Sequence, residues 1–462
     1  MSEISPKTTF QDLWRLSWPM MLTMFLVFSV GLADVYVAGR FSPAVQGAIG
    51  FAGQLLFFFG VLANGLGVGL VAMVSRHEGA GEQPAMWHTA RQGILLACLL
   101  TGPLSLIGLT MSPDATTLSF LPPSVAAAAE KLLPIYAASL WPQALLTTTA
   151  AIFRARTRMR LILLCSGSTA ILNLIGDFIL AFGFGPLPAL GPIGIAIATA
   201  ASSAVGAGLA LAILFAQGMG IRDWRPDIPF LKGLIELSWP AAMLQMGWHL
   251  GSLVLYAILG RLSTAAVAAT AALTNGLRIE AILYLPVYAL NMITAVLVAQ
   301  ALGAADPDEA ERIGWRVAKT AAVILAAMAL PVFIFSRQLA GTITPDPLVR
   351  EMTHVYLRFN MISQPFMALG VCLAGALEGA GDTRGTMMVV LATLWGFRLP
   401  IAAILALATP LAANGVWIAM VASMIMQYVA MHRRYQRGRW KKIALFSSGA
   451  PSTPANNSGS HG

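Results

Sequence analysis

Apolar runs of about 20 residues recur from one end of this chain to the other, and that length leaves few folds open. As a helix, such a run covers roughly 30 Å of hydrocarbon. Lipid offers no hydrogen-bond partners, so every backbone amide and carbonyl must be paired internally, and only helices or closed barrels can span. The runs are continuous rather than alternating, which predicts helices. Composition agrees: 57% of the 462 residues are apolar and 11% charged, against about 25% charged in soluble chains. The first run lacks a cleavage site and is followed by many more, so it reads as a span and not a signal peptide. Twelve helices are predicted, at about 14–39, 47–75, 89–111, 124–151, 160–183, 190–216, 233–260, 267–301, 316–336, 350–376, 385–408 and 412–435.

The net charge of +9 invites a nucleic-acid reading, but the positions of the charges exclude it. Basic residues gather in short connections and at the end: Arg154, Arg156, Arg158 and Arg160; Arg222, Arg225 and Lys232; Arg312, Arg316 and Lys319; then Arg433 through Lys442. Such a bias marks cytoplasmic loops. Both ends and the connections after every second helix are therefore expected in the cytoplasm. Cys98, Cys165 and Cys372 fall far apart within apolar runs, with neither a disulfide framework nor metal spacing.

The second half repeats the first. Leu16-Ser17-Trp18-Pro19 recurs as Leu237-Ser238-Trp239-Pro240, a shift of 237 − 16 = 221. The same shift carries Gly39-Arg40 onto Gly260-Arg261, and Gly194 and Ala198 onto Gly415 and Ala419. Each half holds an even number of helices, so both enter the membrane from one side, as parallel repeats flanking a working cavity. The predicted class is an all-α polytopic membrane protein with two pseudo-symmetric six-helix lobes. The expected organisation is a cytoplasmic N-terminus over 1–12, a first lobe over 13–216, a polar cytoplasmic linker over 217–232, a second lobe over 233–440 and a tail over 441–462. The tail is rich in Ser, Pro, Gly and Asn and is expected to be disordered.

Within the first span, Asp34 is the one charge between Leu16 and Ala38. A carboxylate facing lipid at that level costs about 2.5–3.5 kcal/mol or more, which makes Asp34 a functional-site candidate. Asn173 and Asp177 share a face of the fifth helix, four residues apart. At a rise of about 1.5 Å per residue, Asp34 lies about 27 Å from Leu16 and Asp177 about 24 Å from Leu161. Helices one and five run the same way, so the two acids share a depth; Thr199, about 13 Å from Leu190, reaches a similar layer. Two close carboxylates in a low dielectric cannot both stay ionised cheaply, so a proton or a cation must sit between them. Oxygen ligands suit a proton or Na⁺, with no thiolate or imidazole cluster for a transition metal. Read individually, Asn173 and Thr199 could equally be hydrogen-bonded glue between helices.

Prolines interrupt several spans, and Pro19 is singled out as a conformational hinge because it shares its helix with Asp34. The second half has no matching pair of acids. Its mid-depth polar residues are His249, Arg278, Glu280 and Arg398, which read as an internal salt bridge from Glu280 to Arg398 or Arg278, or as a substrate contact. Glu378 and Asp382 fall in what reads as a capped cytoplasmic turn. Met20, Met21 and Met24, with Phe57, Phe58 and Phe59, could line a forgiving apolar pocket or simply pack helices. No phosphate-binding loop, nucleophile elbow or metalloprotease motif is present, so no enzymatic activity and no cofactor are expected.

Taken together, these residues resemble the multidrug and toxic compound extrusion (MATE) transporters. The likeness runs from Leu16 to about Tyr435 and is carried by the paired Leu-Ser-Trp-Pro openings, Asp34 followed by Gly39, and Asn173-x-x-x-Asp177. Arg278-x-Glu280, the run Gln300-Ala301-Leu302-Gly303-Ala304, and Gly379-Ala380-Gly381-Asp382-Thr383 add to it. The resemblance implies two lobes in a V, and efflux of organic cations and amphipathic drugs driven by inward H⁺ or Na⁺. It implies that Asp34, Asn173, Asp177 and Thr199 bind the coupling cation and that helix one bends near Pro19. NorM-like members carry an acid in helix seven where this chain reads Gln245-Met246-Gly247-Trp248-His249, so the chain looks closer to the DinF-like branch. The expected setting is a bacterial cytoplasmic membrane, with lipid and small-molecule substrates as partners, no nucleic acid, and a monomer. A lipid-linked sugar flippase of the same wider fold is the alternative, and an intramembrane enzyme ranks below it.

Overall fold

A computed structural model describes residues 10–118, 121–186, 188–220, 224–262 and 265–445. The chain forms α1 (Phe10–Gly39), α2 (Pro43–Ala80), α3 (Gln83–Leu118), α4 (Pro123–Ala155), α5 (Met159–Phe182) and α6 (Pro192–Ala216) in its first half. The second half comprises α7 (Ile228–Gly260), α8 (Ala266–Gly303), α9 (Pro307–Ile334), the short α10 (Ser336–Ile343), α11 (Pro347–Gly379), α12 (Thr383–Leu391), α13 (Leu399–Leu407) and α14 (Ala413–Gln436). A π-helical stretch, Ala392–Arg398, joins α12 to α13 into one traverse, so twelve helical traverses result as expected. The expected linker is shorter than 217–232, because α7 already begins at Ile228. The centre of that linker and the tail beyond 445 lie outside the described residues.

The helix starts follow from local chemistry. Proline opens α2, α4, α6, α9 and α11, where a missing N–H costs nothing. Ser42, Asp227, Asp306 and Asp346 each accept a backbone N–H from the first turn of α2, α7, α9 and α11.

Eleven of these helices are long and apolar enough to cross a membrane. The remaining traverse, α4, is long enough but carries Glu130, Lys131, Pro134, Pro142, Gln143 and Thr147–Thr149. Packing against α2, α3 and α6 explains part of the tolerance: Pro134, Pro142, Gln143 and Thr147–Thr149 are half-buried or buried, while Glu130 and Lys131 near the start of α4 stay exposed. In the second half α11 takes the same place, packing against α8, α9 and α14. Its apolar segment is 72% buried, whereas that of α1 is 17% buried. Each lobe is thus wrapped around one central helix, and α1 is the least embedded span.

The pseudo-symmetry reaches single hydrogen bonds. Where α4 turns into α5, Thr157 N–H reaches Arg154 O at 2.9 Å and Arg158 N–H reaches Phe153 O at 2.8 Å. Where α11 turns into α12, Gly381 N–H reaches Glu378 O at 3.0 Å and Asp382 N–H reaches Leu377 O at 2.8 Å. Both are helix-terminating motifs that pass through a left-handed residue, Thr157 in one half and Gly381 in the other, a spacing of 381 − 157 = 224. The side chain of Asp382 makes no cap on the following helix. Its carboxylate instead takes both Nε and Nη2 of Arg434 on α14, at 2.6 and 2.8 Å.

The two halves meet along α2, which packs on α7 and α8. At the end of the bundle that carries both chain ends, called here the basic face, α2 and α8 cross backbone to backbone. A methyl at Gly79 would lie 2.7 Å from the Gln300 Cα, and one at Gly303 would lie 2.9 Å from the Arg76 carbonyl carbon. Only glycine permits that approach. Gln300 Nε2 donates to Ala155 O at 2.8 Å, and Arg76 Nη1 donates to Ile443 O at 2.7 Å, each across the seam. Every inter-lobe hydrogen bond among the described residues lies at this face. Toward mid-membrane the seam narrows to Phe57 of α2 set edge-on to His249 of α7, with ring centroids 4.4 Å apart. The structure is therefore closed at its basic face.

Candidate cation site

Helix α1 packs along α5, and α5 along α6, so three spans converge at one level of the first lobe. Asp34 comes from α1, Asn173 and Asp177 from α5, and Thr199 from α6. The carboxyl groups of Asp34 and Asp177 stand within hydrogen-bonding reach of each other. Asp177 is fully buried, and neither of its oxygens has a donor. Asp34 Oδ1 and Asn173 Oδ1 are likewise buried without a donor. Asn173 spends its amide on Thr199 instead, Nδ2 to Oγ1 at 3.2 Å, while Thr199 donates to Ile195 O at 3.1 Å.

This geometry has a plain chemical consequence. Ionised carboxylates only accept hydrogen bonds, so two of them face to face have nothing to share. A proton between them converts the contact to a hydrogen bond, and a small cation converts it to ligation. The leftover Asn173 Oδ1 and the Thr199 oxygen extend the oxygen set, which suits a hard monovalent ion. Among the described residues, no group of three or more His, Cys, Asp or Glu could hold a metal ion.

Sequence reasoning missed Tyr136 on α4. Its buried hydroxyl has no conventional partner, lies beside Thr199, and feels both carboxyl charges. Tyr136 belongs to a small apolar cluster with Val37, Ala38, Ile49, Leu132 and Ile195 that pins α1, α2, α4 and α6 together around the site. The available signal was a lone phenol in an otherwise aliphatic stretch of a span, the kind of group that must find a partner when buried.

The remaining candidates are dispersed. Pro19 is buried within a continuous α1, and Thr23 Oγ1 donates to its carbonyl at 2.7 Å. His249 meets Phe57 at the seam. Arg278 is exposed and far from forming a cluster, with no ion pair among the described residues. The expected salt bridge from Glu280 to Arg398 or Arg278 is not formed. Glu280 Oε2 accepts instead from Tyr284 Oη at 2.7 Å, one turn along the same helix. Arg398 gives its Nε to Ser423 Oγ at 2.6 Å and stacks over Trp248 at 5.0 Å. Each buried charge is met by a neutral partner nearby, and Glu280 Oε1 is left without one.

Comparison with known proteins agrees with this architecture. The family model MatE matches residues 19–179 and 240–404, two stretches that begin at the paired prolines Pro19 and Pro240. Among curated relatives, "Probable multidrug resistance protein NorM" of Thermotoga maritima is 24% identical, covering 95% of this chain and 94% of its own. "Multidrug resistance protein PmpM" of Pseudomonas aeruginosa is 27% identical, over 92% and 94%. The crystal structure of the Vibrio cholerae MATE transporter VcmN in its bent form shares the fold with a TM-score of 0.85 at 23% identity, over 93% of this chain and 97% of that one. A repeated, twelve-traverse bundle matched in both halves by one family model leads to a single conclusion: the chain belongs to the MatE family of multi-pass membrane transporters.

Proposed function

We propose that this protein is a secondary antiporter that exports cationic or amphipathic compounds in exchange for H⁺ or Na⁺. The coupling ion binds in the first lobe, at Asp34 and Asp177 with Asn173 and Thr199, and Tyr136 beside them. One observation carries the reading: buried carboxyl groups from two spans face each other with no donor to satisfy them. Few structural roles require that; an exchangeable proton or ion does. Ion and cargo favour different states of the two lobes, and that difference couples the flows. The family relatives named for multidrug resistance support the substrate class.

In this reading the basic face is cytoplasmic, in a bacterial inner membrane, so the closed seam is the inward gate. The protein works as a monomer, needs no cofactor, and catalyses no reaction. Coupling in the first lobe follows the DinF-like pattern, because α7 offers His249 and no acid at the depth of Asp34, although several relatives bear the name NorM. A sugar-lipid flippase would need several cations at mid-membrane. Arg398 is the one arginine buried there in the second lobe, which ranks that alternative lower.

The test is extrusion of a cationic dye from proteoliposomes, with pH and Na⁺ gradients imposed separately. The wild type should respond to at least one gradient. Asp34→Asn and Asp177→Asn should each abolish the response while leaving the protein folded and inserted. Gradient-driven extrusion at wild-type rate in either variant would refute the assignment.

A further inference from the structure

A cavity of about 420 Å³ opens at the basic face between the start of α1, the α4–α5 turn and the end of α6. Arg15, Arg158 and Arg160 line it, with Leu16, Met159, Leu161 and Gln217 as the other walls. Positive charge is ordinary at this face, so the informative comparison is the equivalent corner of the second half. There, Glu236 at the start of α7 lies 3.9 Å from Arg384, and Asp382 binds Arg434 of α14 through two hydrogen bonds. The repeat places Arg15 where Glu236 stands, Arg158 where Asp382 stands, Arg160 opposite Arg384 and Ile213 opposite Arg434. Two acids and two bases that cancel in one corner become three arginines in the other. No ion pair among the described residues involves Arg158 or Arg160. The second corner is filled by its own salt bridges, whereas the first is left as an electropositive hollow.

The hollow continues into an apolar track. From Arg160 the exposed face of α5 runs on through Leu164, Ile171, Ile175 and Phe178, residues spaced three, four or seven apart on one side of the helix. Trp14 and Phe215 are exposed on the neighbouring helix ends. A phosphate at the arginines and acyl chains along α5 match both halves of that surface. Guanidinium groups suit phosphate oxygens through paired N–H donors, and basic hollows between spans on the cytoplasmic side are built to receive lipid headgroups.

We infer that this corner is a binding seat for the phosphate of an anionic phospholipid, held by Arg158 and Arg160 with Arg15 across the hollow. It lies at the opposite end of the lobe from Asp34 and Asp177 and does not depend on the proposed antiport.

The experiment is native mass spectrometry of the full-length protein, loaded with equal amounts of phosphatidylglycerol and phosphatidylcholine. Wild type should retain phosphatidylglycerol preferentially. Arg158→Ala/Arg160→Ala should lose that preference by on the order of tenfold. Arg158→Lys/Arg160→Lys should keep a reduced preference and guards against a folding artefact, as does Arg384→Ala, which should leave retention unchanged. Millimolar inorganic phosphate should fail to displace the lipid. Equal retention of the two lipids by wild type, undiminished preference in the double alanine variant, or displacement by free phosphate at lipid-equivalent concentration would each overturn the inference.

Discussion

Adding a methyl at the glycine crossing should force the basic face open. Gly79 and Gly303 bring α2 and α8 together backbone to backbone, and a Cβ at Gly79 would sit 2.7 Å from both the Gln300 carbonyl carbon and its Cα. At Gly303 the Cβ would sit 2.9 Å from the Arg76 carbonyl carbon and 3.1 Å from the Ala80 nitrogen. These are backbone atoms of long helices and cannot rotate away, so the helices must separate. Overpacking of this kind costs about 1–3 kcal/mol per site. The cost falls only on the state closed at this face. At about 1.4 kcal/mol per tenfold, Gly79→Ala or Gly303→Ala should raise the population open at this face roughly 5- to 150-fold. Ser238 is a suitable reporter, because its side chain packs against Gly69 in the same seam and makes no hydrogen bond of its own. In a Ser238→Cys background with Cys98, Cys165 and Cys372 replaced, maleimide labelling from the basic face should accelerate at least fivefold in either variant. Gly208→Ala, with nothing within 4 Å of the added methyl, is the control and should label as the parent does. Unchanged labelling in both seam variants, with protein folded and inserted, would show that the crossing does not set the closed state.

Other expectations follow from individual contacts. Tyr136→Phe should slow gradient-driven dye extrusion by less than the Asp177→Asn loss, since the phenol borders the oxygen cluster without being one of its charged members; equal losses in initial-rate assays would mean that Tyr136 is itself indispensable. Ser423→Ala removes the hydroxyl that accepts from Arg398 Nε and leaves a buried guanidinium donor unmet, a destabilisation of about 1–3 kcal/mol readable as a lower melting temperature in detergent; an unchanged melting temperature would show that another group takes the donor. Pro19→Ala supplies the N–H that the Arg15 carbonyl lacks in α1, and should leave dye binding intact while lowering maximal extrusion rate; wild-type turnover would remove Pro19 from the mechanism.

Much of the architecture was legible because lipid simplifies the code. Every traverse but α4 announces itself by length and apolarity, and the Leu-Ser-Trp-Pro duplication sets the two halves in register. Asp34, Asn173 and Asp177 stood out for the same reason: in an apolar span, a carboxylate or carboxamide is conspicuous. What could not be read was direction. Arg278 and Glu280 are two residues apart on α8, and therefore on different faces, yet only Glu280 turns inward. The pairing of Glu280 with Arg398 failed because Tyr284 and Ser423, unremarkable in sequence, stand closer to each charge. Tyr136 was hidden because a tyrosine in a span is usually packing, and only its hydroxyl's position beside Thr199 sets it apart. The π-helical stretch at Ala392–Arg398 has no composition signature at all; it places Arg398 at the end of a locally widened turn, a feature often found at functional positions.

Duplication explains why the scaffold is nearly symmetric, but the exchange proposed above would require that the halves differ. A device that binds the same ion equally in both lobes, and in both states, gains no direction from it, because only differential affinity shifts an equilibrium. Part of the asymmetry in this chain falls on one element, α1. Helix α1 carries Asp34 at its level with Asp177, Arg15 at the arginine-lined hollow, and Pro19 near the latter end. Its counterpart α7 carries Glu236 already neutralised by Arg384 and no acid at the depth of Asp34. With 17% of its apolar segment buried, α1 is also the span least held by neighbours. It rests mainly on α5, with smaller interfaces to α8, α2 and α6, and the carboxyl contact to Asp177 lies within that main interface. In the proposed exchange, loading or emptying that contact would therefore act at the main interface of a largely exposed helix, whereas the same change on α11, whose apolar segment is 72% buried, would be absorbed by the surrounding packing.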